Sequence, residues 1–273
     1  MSRQPTDNEL FEAIIAAAIE AGKVVHDIYR GQIDVSHKAD ASPVTNADQA
    51  AEAIILARLG EVAPHIPIVA EEEVAAGRVP TVASEFFLVD PLDGTKEFIQ
   101  KRGDFTVNIA LIRNRVPVLG VVYAPAKSSL FAGDVAAKNA FRSDVNTDSS
   151  EPTTRRAINV RPVPPNGVTA VSSRSHSTPE TDAYLASCNV IDRVSVGSSL
   201  KFCLVAAAEA DLYPRLGTTM EWDTAAGHAV LLAAGGNVWA PGGVPLLYSK
   251  PDFRNSYFIA SGRLIPPPLA FDR

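Results

Sequence analysis

The stretch Phe86-Phe87-Leu88-Val89-Asp90-Pro91-Leu92-Asp93-Gly94-Thr95 limits what this chain can become more than any other. Four apolar residues run directly into an aspartate, the pattern of a buried strand that ends in a charge. Pro91 fixes its own φ, and Gly94 permits a sharp turn ahead of a helix. Two carboxylates, a free backbone carbonyl, a threonine hydroxyl and several unpaired N–H groups then fall within one turn. Carboxylate and carbonyl oxygens suit hard cations such as Mg²⁺, and N–H groups at a helix start suit phosphate oxygens. Alone, the stretch is equally ordinary turn chemistry with Thr95 as an N-cap, so the rest of the chain has to decide.

Charge narrows the choice. The formal net charge is −6 and no run of Lys or Arg suggests nucleic-acid binding. An acidic protein that takes a phosphate ester needs cations to mediate. The 273 residues, 46% hydrophobic and 21% charged, suit one large globular domain or two closely packed halves. The polar start from Met1 to Asn8 lacks the apolar core of a signal peptide, and Ala225–Gly236 is too short to span a membrane. A cytoplasmic protein is expected. Cys188 and Cys203 make no disulfide framework and read as buried thiols.

Along the chain, Thr6 to Glu9 forms a capping box that opens an amphipathic helix with Leu10, Ile14, Ala18, Val25 and Ile28 inward. Lys38 to Asp48 is a polar loop followed by a second helix. Its functional reading is a mobile loop that brings Lys38, Asp40 and Asp48 towards a metal site. Ile66–Ala70 reads as a short edge strand that ends at Glu71. If it neighbours the strand of Asp90, both carboxylates emerge at one sheet edge, where open α/β sheets bind ligands. Phe105–Leu111 and Val116–Val122 pair through a turn at 113–115, and a meander continues to Phe141. The polar run 143–156 reads as a linker between halves 1–150 and 151–273. The second half alternates strands and helices, including Val190–Val196, Gly197-Ser198-Ser199 opening a helix Leu200–Ala210, and a helix capped by Asp223 and ended by Gly235. Glu71, Asp90, Asp93 and Asp223 each have a structural explanation, but four converging carboxylates would repel unless metals held them together.

The motifs Glu71-Glu72, Asp90-Pro91-Leu92-Asp93-Gly94-Thr95 and Trp222-Asp223-Thr224-Ala225-Ala226 resemble, in order, those of the inositol monophosphatase superfamily of Mg²⁺-dependent, lithium-sensitive phosphatases. Residues 39–48, Ser173 to His176, Gly197 to Cys203, Leu212 to Arg215 and Trp222 to His228 are most similar to its CysQ-type 3′(2′),5′-bisphosphate nucleotidases. The resemblance implies a layered α/β/α/β/α sugar-phosphatase fold. It implies hydrolysis of adenosine 3′,5′-bisphosphate to AMP and phosphate, or of the phosphosulfate analogue to adenosine phosphosulfate, in sulfate assimilation. Glu71, Asp90 and the Leu92 carbonyl would hold one Mg²⁺, and Asp90, Asp93 and Asp223 a second. Thr95 and Glu71 would orient the attacking water, and the N–H groups of Gly94 and Thr95 would hold phosphate oxygens. Lys38 and Asp48 match mobile-loop positions that assist a third, weaker metal. Ser198, Ser199, Arg174, Lys201 and Arg215 offer N–H groups or positive charge to the nucleotide. The family also implies a monomer or homodimer, and peripheral attachment at the cytoplasmic face of a membrane as a family trait.

Three rivals stand beside this reading. The aspartyl-nucleophile phosphatases carry Asp-x-Asp, whereas Asp90 and Asp93 are three apart. An inositol or fructose phosphatase would use the same metal core. A non-catalytic phosphoester-binding protein would need a broken metal set, and no matched ligand is missing.

Overall fold

The computed structural model describes residues 3–38, 40–146, 151–173 and 178–269. Helix α1 (Asp7–Arg30) starts on the expected capping box, with Thr6 and Glu9 each accepting the other's backbone N–H. The hairpin of β1 (Val35–His37) and β2 (Pro43–Thr45) leads into α2 (Asn46–Val62). A second capping box opens α2, where Asp48 accepts the Thr45 N–H at 2.7 Å.

Strand β3 (Ile68–Ala70) runs into the short helix α3 (Glu71–Ala75) and pairs in parallel with β4 (Glu85–Asp93). After α4 (Thr95–Ile99), β5 (Thr106–Arg113), β6 (Val116–Ala124), β7 (Ser129–Asp134) and β8 (Asn139–Asn146) follow as an antiparallel meander. Of the segment 143–156 read as a linker, 147–150 lie outside the described residues, while 143–146, 151–152 and 156 lie in sheet. Ser143 is buried in β8, while β9 (Glu151–Pro152) and β10 (Arg156–Ala157) both pair with β8. Its polar side chains had hidden this, because backbone pairing at a sheet edge needs no apolar residue; thus the Ser143 hydroxyl donates to the Thr153 carbonyl at 2.9 Å.

A second sheet has the order β12 (Val190–Val196), β11 (Val168–Ser173), β13 (Leu212–Arg215), β16 (Phe258–Ser261), β14 (Asn237–Ala240), β15 (Val244–Pro245). The helices between its strands are α5 (Pro179–Ala186), α6 (Leu200–Ala206) and α7 (Glu221–Ala233). Helix α6 is shorter than the sequence suggests. Ala208 takes φ 63°, which turns the chain so that buried Asp211 meets Arg161 at 2.6 Å.

Alternation along the large sheet fixes the layers. Val107, Ile109 and Leu111 join the core under α1 and α2, whereas Ala110 and Ile112 join the core under α6 and α7. The second sheet turns Val171, Tyr213 and Phe258 to the same inner helices and Ala170, Leu212 and Ile259 to α5. The order is therefore helix, sheet, helix, sheet, helix, as the resemblance implied. Gly120 and Gly133 let α7 lie flush on the large sheet. A Cβ on Gly120 would stand 2.6 Å from the Ala226 carbonyl oxygen, and one on Gly133 2.7 Å from the Val230 Cα.

That contact yields a test. Gly120→Ala forces α7 off the sheet and should lower unfolding stability by about 1–3 kcal/mol in urea titration. Gly77→Ala, where a Cβ meets nothing within 4 Å, should lack this clash and lose only through its φ of 78°.

Candidate active site

Asp90 and Asp93 are three residues apart, a spacing that puts side chains on opposite faces of a regular strand. Here they share one. Asp90 stands opposite Asn108 and Asp93 opposite Thr106, so β4 carries one extra residue between them. Pro91 lies in this bulge, where its missing N–H costs no ladder bond. Asp90 is therefore inside β4 rather than at its end, and it faces α6 and α7 in line with Leu88. Parallel pairing of Ala70 with Val89 brings Glu71, the first residue of α3, level with Asp90. Asp223 comes from the far side, on the first turn of α7. It stands at the third helical position and not at the cap, and it accepts the Met220 N–H at 2.8 Å.

The charges of these acids act on one another. Burial, then the charges of Glu71, Asp93, Asp223 and Asp48, lift the Asp90 carboxyl well above its ordinary 3.8. Burial, Asp93 and Glu71 do the same to Asp223. Burial raises Glu71 against the pull of Lys38, and Asp93 against the pull of Lys201. Among the described residues no three such side chains stand within ligand distance of one point. The donors fit a hard divalent cation: carboxylate oxygens of Glu71, Asp90, Asp93 and Asp223, and the Leu92 carbonyl.

Around the acids lies a cleft of about 320 Å³, lined among others by Glu71, Asp93, Gly94, Thr95, Lys201, Arg215 and Asp223. Gly94, at φ 92°, is the N-cap of α4, and Thr95 is its first residue. A side chain on Gly94 would press within 2.9 Å of the Asp104 carbonyl oxygen. The Thr95 hydroxyl lies 3.2 Å from the Leu92 carbonyl oxygen and 3.4 Å from Asp48 Oδ1. Lys38 bridges Glu71 and Glu72 at 2.6 and 2.7 Å; burial disfavours its charge, yet those two carboxylates hold its pKa above the ordinary 10.5.

The structure brings together most of the residues the sequence singled out. Asp40 is an exception, exposed in its turn and bonded to Ser42. Arg174 and its neighbours to Ser177 lie outside the described residues. Ser198 and Ser199 stand at the cleft, with the Ser199 N–H donating to Asp93 Oδ2 at 2.7 Å. Lys201 donates to the Ser198 carbonyl at 2.5 Å, and burial drops its pKa to about 8. Arg215 donates to the Thr218 carbonyl at 3.1 Å, while its buried Nε has no hydrogen-bond partner among the described residues. Sequence reasoning missed Asn108 and Thr106, both fully buried. Asn108 Oδ1 accepts the Ser199 hydroxyl at 2.7 Å, and Thr106 Oγ1 is 3.0 Å from Ser199 Oγ. Their alternation as polar residues within an apolar strand was the available signal.

Comparison with known proteins fits this geometry. The inositol monophosphatase family model matches residues 6–264. The chain belongs to the inositol monophosphatase family. Within it, the 3′(2′),5′-bisphosphate nucleotidase CysQ of Shigella flexneri is 43% identical over 257 residues, 91% of this chain and all of the relative. The protein of the same description from Escherichia coli K12 is 42% identical over an equal span. Among solved structures, CysQ from Bacteroides thetaiotaomicron superposes with TM-score 0.76 at 39% identity, over 93% of this chain and 97% of that one. Inositol monophosphatase from Anabaena gives 0.74 at 26% identity, over 96% and 98%. No helix among the described residues is long and apolar enough to cross a membrane.

The raised acids fix a pH dependence. Burial pushes Asp48 up to about 6 and Glu52 up to about 7, and Asp90 and Asp223 are likewise held well above the ordinary carboxylate value. A carboxyl with a raised folded pKa binds more protons folded than unfolded, so its contribution is present at low pH and is lost as pH rises. In metal-free buffer the unfolding midpoint should fall between pH 4 and pH 7. Added Mg²⁺ should restore it most at the upper end. Thermal unfolding at pH 5 and pH 7.5, with and without Mg²⁺, checks both.

Proposed function

We propose that this chain is a Mg²⁺-dependent 3′(2′),5′-bisphosphate nucleotidase that hydrolyses adenosine 3′,5′-bisphosphate to AMP and phosphate. The observation that carries it is one cleft lined by two sets of groups, Glu71, Asp93, Asp223 and the start of α4 in the first and Lys201 and Arg215 in the second. An ester with one phosphate needs only the acidic set. A substrate with two phosphates makes use of both, and the relatives of 41–44% identity described as nucleotidases support that choice.

When bound, two Mg²⁺ would neutralise the phosphate, activate water and stabilise the leaving oxygen. Glu71, Asp90, Asp93, Asp223 and the Leu92 carbonyl are the groups to hold them. The N–H groups of Gly94 and Thr95 bind oxygens of the scissile phosphate. The Thr95 hydroxyl, donating to the Leu92 carbonyl or to Asp48, keeps lone pairs free to accept from the attacking water. Glu71 takes the proton that this water gives up, and Lys38 balances the charge on Glu71 and Glu72. Lys201 and Arg215 hold the remaining phosphate, where the fork of Arg215 suits an anion. Attack is direct and in line, without a phosphoenzyme.

Assays of kcat/KM on adenosine 3′,5′-bisphosphate and inositol 1-phosphate test the substrate. The nucleotide should be preferred, and preference for the inositol ester would overturn the assignment. EDTA should abolish phosphate release. Asp93→Asn should lower kcat/KM at least as far as the 10–100-fold typical of losing an outer partner of a metal ligand; activity that survived either treatment would rule out the metal mechanism.

A further inference from the structure

Glu71 heads α3, a helix of five residues that buries none of them completely, so packing does little to fix its direction. Its N-cap is Ala70, which has no side chain able to accept an N–H, and the first turn carries three glutamates. The N–H groups of such a turn need acceptors from elsewhere. One comes from α2. Glu52, one helical turn beyond Asp48 and only 4% exposed, accepts the Glu72 N–H at 2.9 Å.

This is a costly place for a carboxylate. Burial alone penalises it, and the charges of Glu72 and Glu73 repel it. The ion pairs nearby do not replace the contact, because Lys38 engages the side chains of Glu71 and Glu72 and the Arg78 guanidinium engages that of Glu73, none of them accepting an N–H of the turn. Asp48 and Glu52, four apart on α2, thus brace two parts of one site. Asp48 reaches Thr95, and Glu52 reaches the base of Glu71.

We propose that Glu52 is a positioning residue that locks the first turn of α3 and so sets the direction in which Glu71 offers its carboxylate to a cation. The inference rests on the reading of Glu71 as a metal ligand. Glu52 acts through the backbone of Glu72 and needs no contact with substrate.

Calorimetric titration of the metal-free protein with Mg²⁺ reads the effect apart from turnover. Glu52→Leu removes the acceptor and should weaken Mg²⁺ binding about 10–100-fold. Glu52→Gln keeps an acceptor oxygen at the same reach and should stay within about threefold of the parent. Glu52→Asp keeps the charge but withdraws the acceptor by one methylene, and should fall with Leu; it reads the same quantity should the Leu variant not fold. Thr6→Ala, which removes a cap of α1 far from the site, controls for lost stability and should leave Mg²⁺ affinity unchanged. Unchanged affinity in the Leu and Asp variants, a Gln variant as weak as Leu, or an equal loss in Thr6→Ala would each overturn the proposal. A parent that bound no Mg²⁺ would instead overturn the metal reading of the site, and this inference with it.

Discussion

One extra residue in β4 decides the geometry on which the rest depends. A regular strand would turn Asp93 away from Asp90 and into the layer beneath α1 and α2. The bulge at Pro91 and Leu92 returns Asp93 to the face of Asp90, Asn108 and Thr106, where α6 and α7 cover the sheet. Leu92 takes the opposite direction and joins the core under α1 and α2. The same local irregularity therefore aims two carboxylates inward, anchors the strand behind them and turns the Leu92 carbonyl towards the Thr95 hydroxyl.

Holding those charges together is the second constraint, and apolar packing meets it. Val69, Leu88, Ala110 and Val122 lead up to the acids on their face of the sheet, and Val89, Ile109 and Val121 back them from the other. Asp223 rides on α7, which lies against the sheet at Gly120 and Gly133 with no room to retreat. The repulsion among the carboxyls is thus opposed by a rigid core on three sides. Stability given up at a site of this kind is the usual companion of a binding function.

Acids and cations are divided by origin. The acids stand on β4 and at the starts of α3 and α7, where a shift of the side chain would need a shift of the backbone. Lys38 comes from the loop after β1, and Lys201 and Arg215 come from the second sheet and its helix.

Much of this was legible beforehand. The capping boxes of α1 and α2, the strands of the meander and the order of the acidic motifs are local patterns, set by side-chain period and by Ser, Thr or Asp beside free N–H groups. The readings that failed were those in which polar residues took part in sheet, as at Ser143, or in which a turn depended on a distant partner, as at Asp211. Asn108 and Thr106 went unnoticed because their importance comes from Ser199, some ninety residues away. The sequence by itself determined which residues are strand, helix and acid, since periodicity and capping act over a few neighbours. Only the tertiary structure decided which face Asp93 shares, that Glu52 meets the backbone of Glu72, and that Asp223 joins Asp90. A one-residue bulge reverses a strand's faces, and contacts between distant segments leave no periodic trace in the chain.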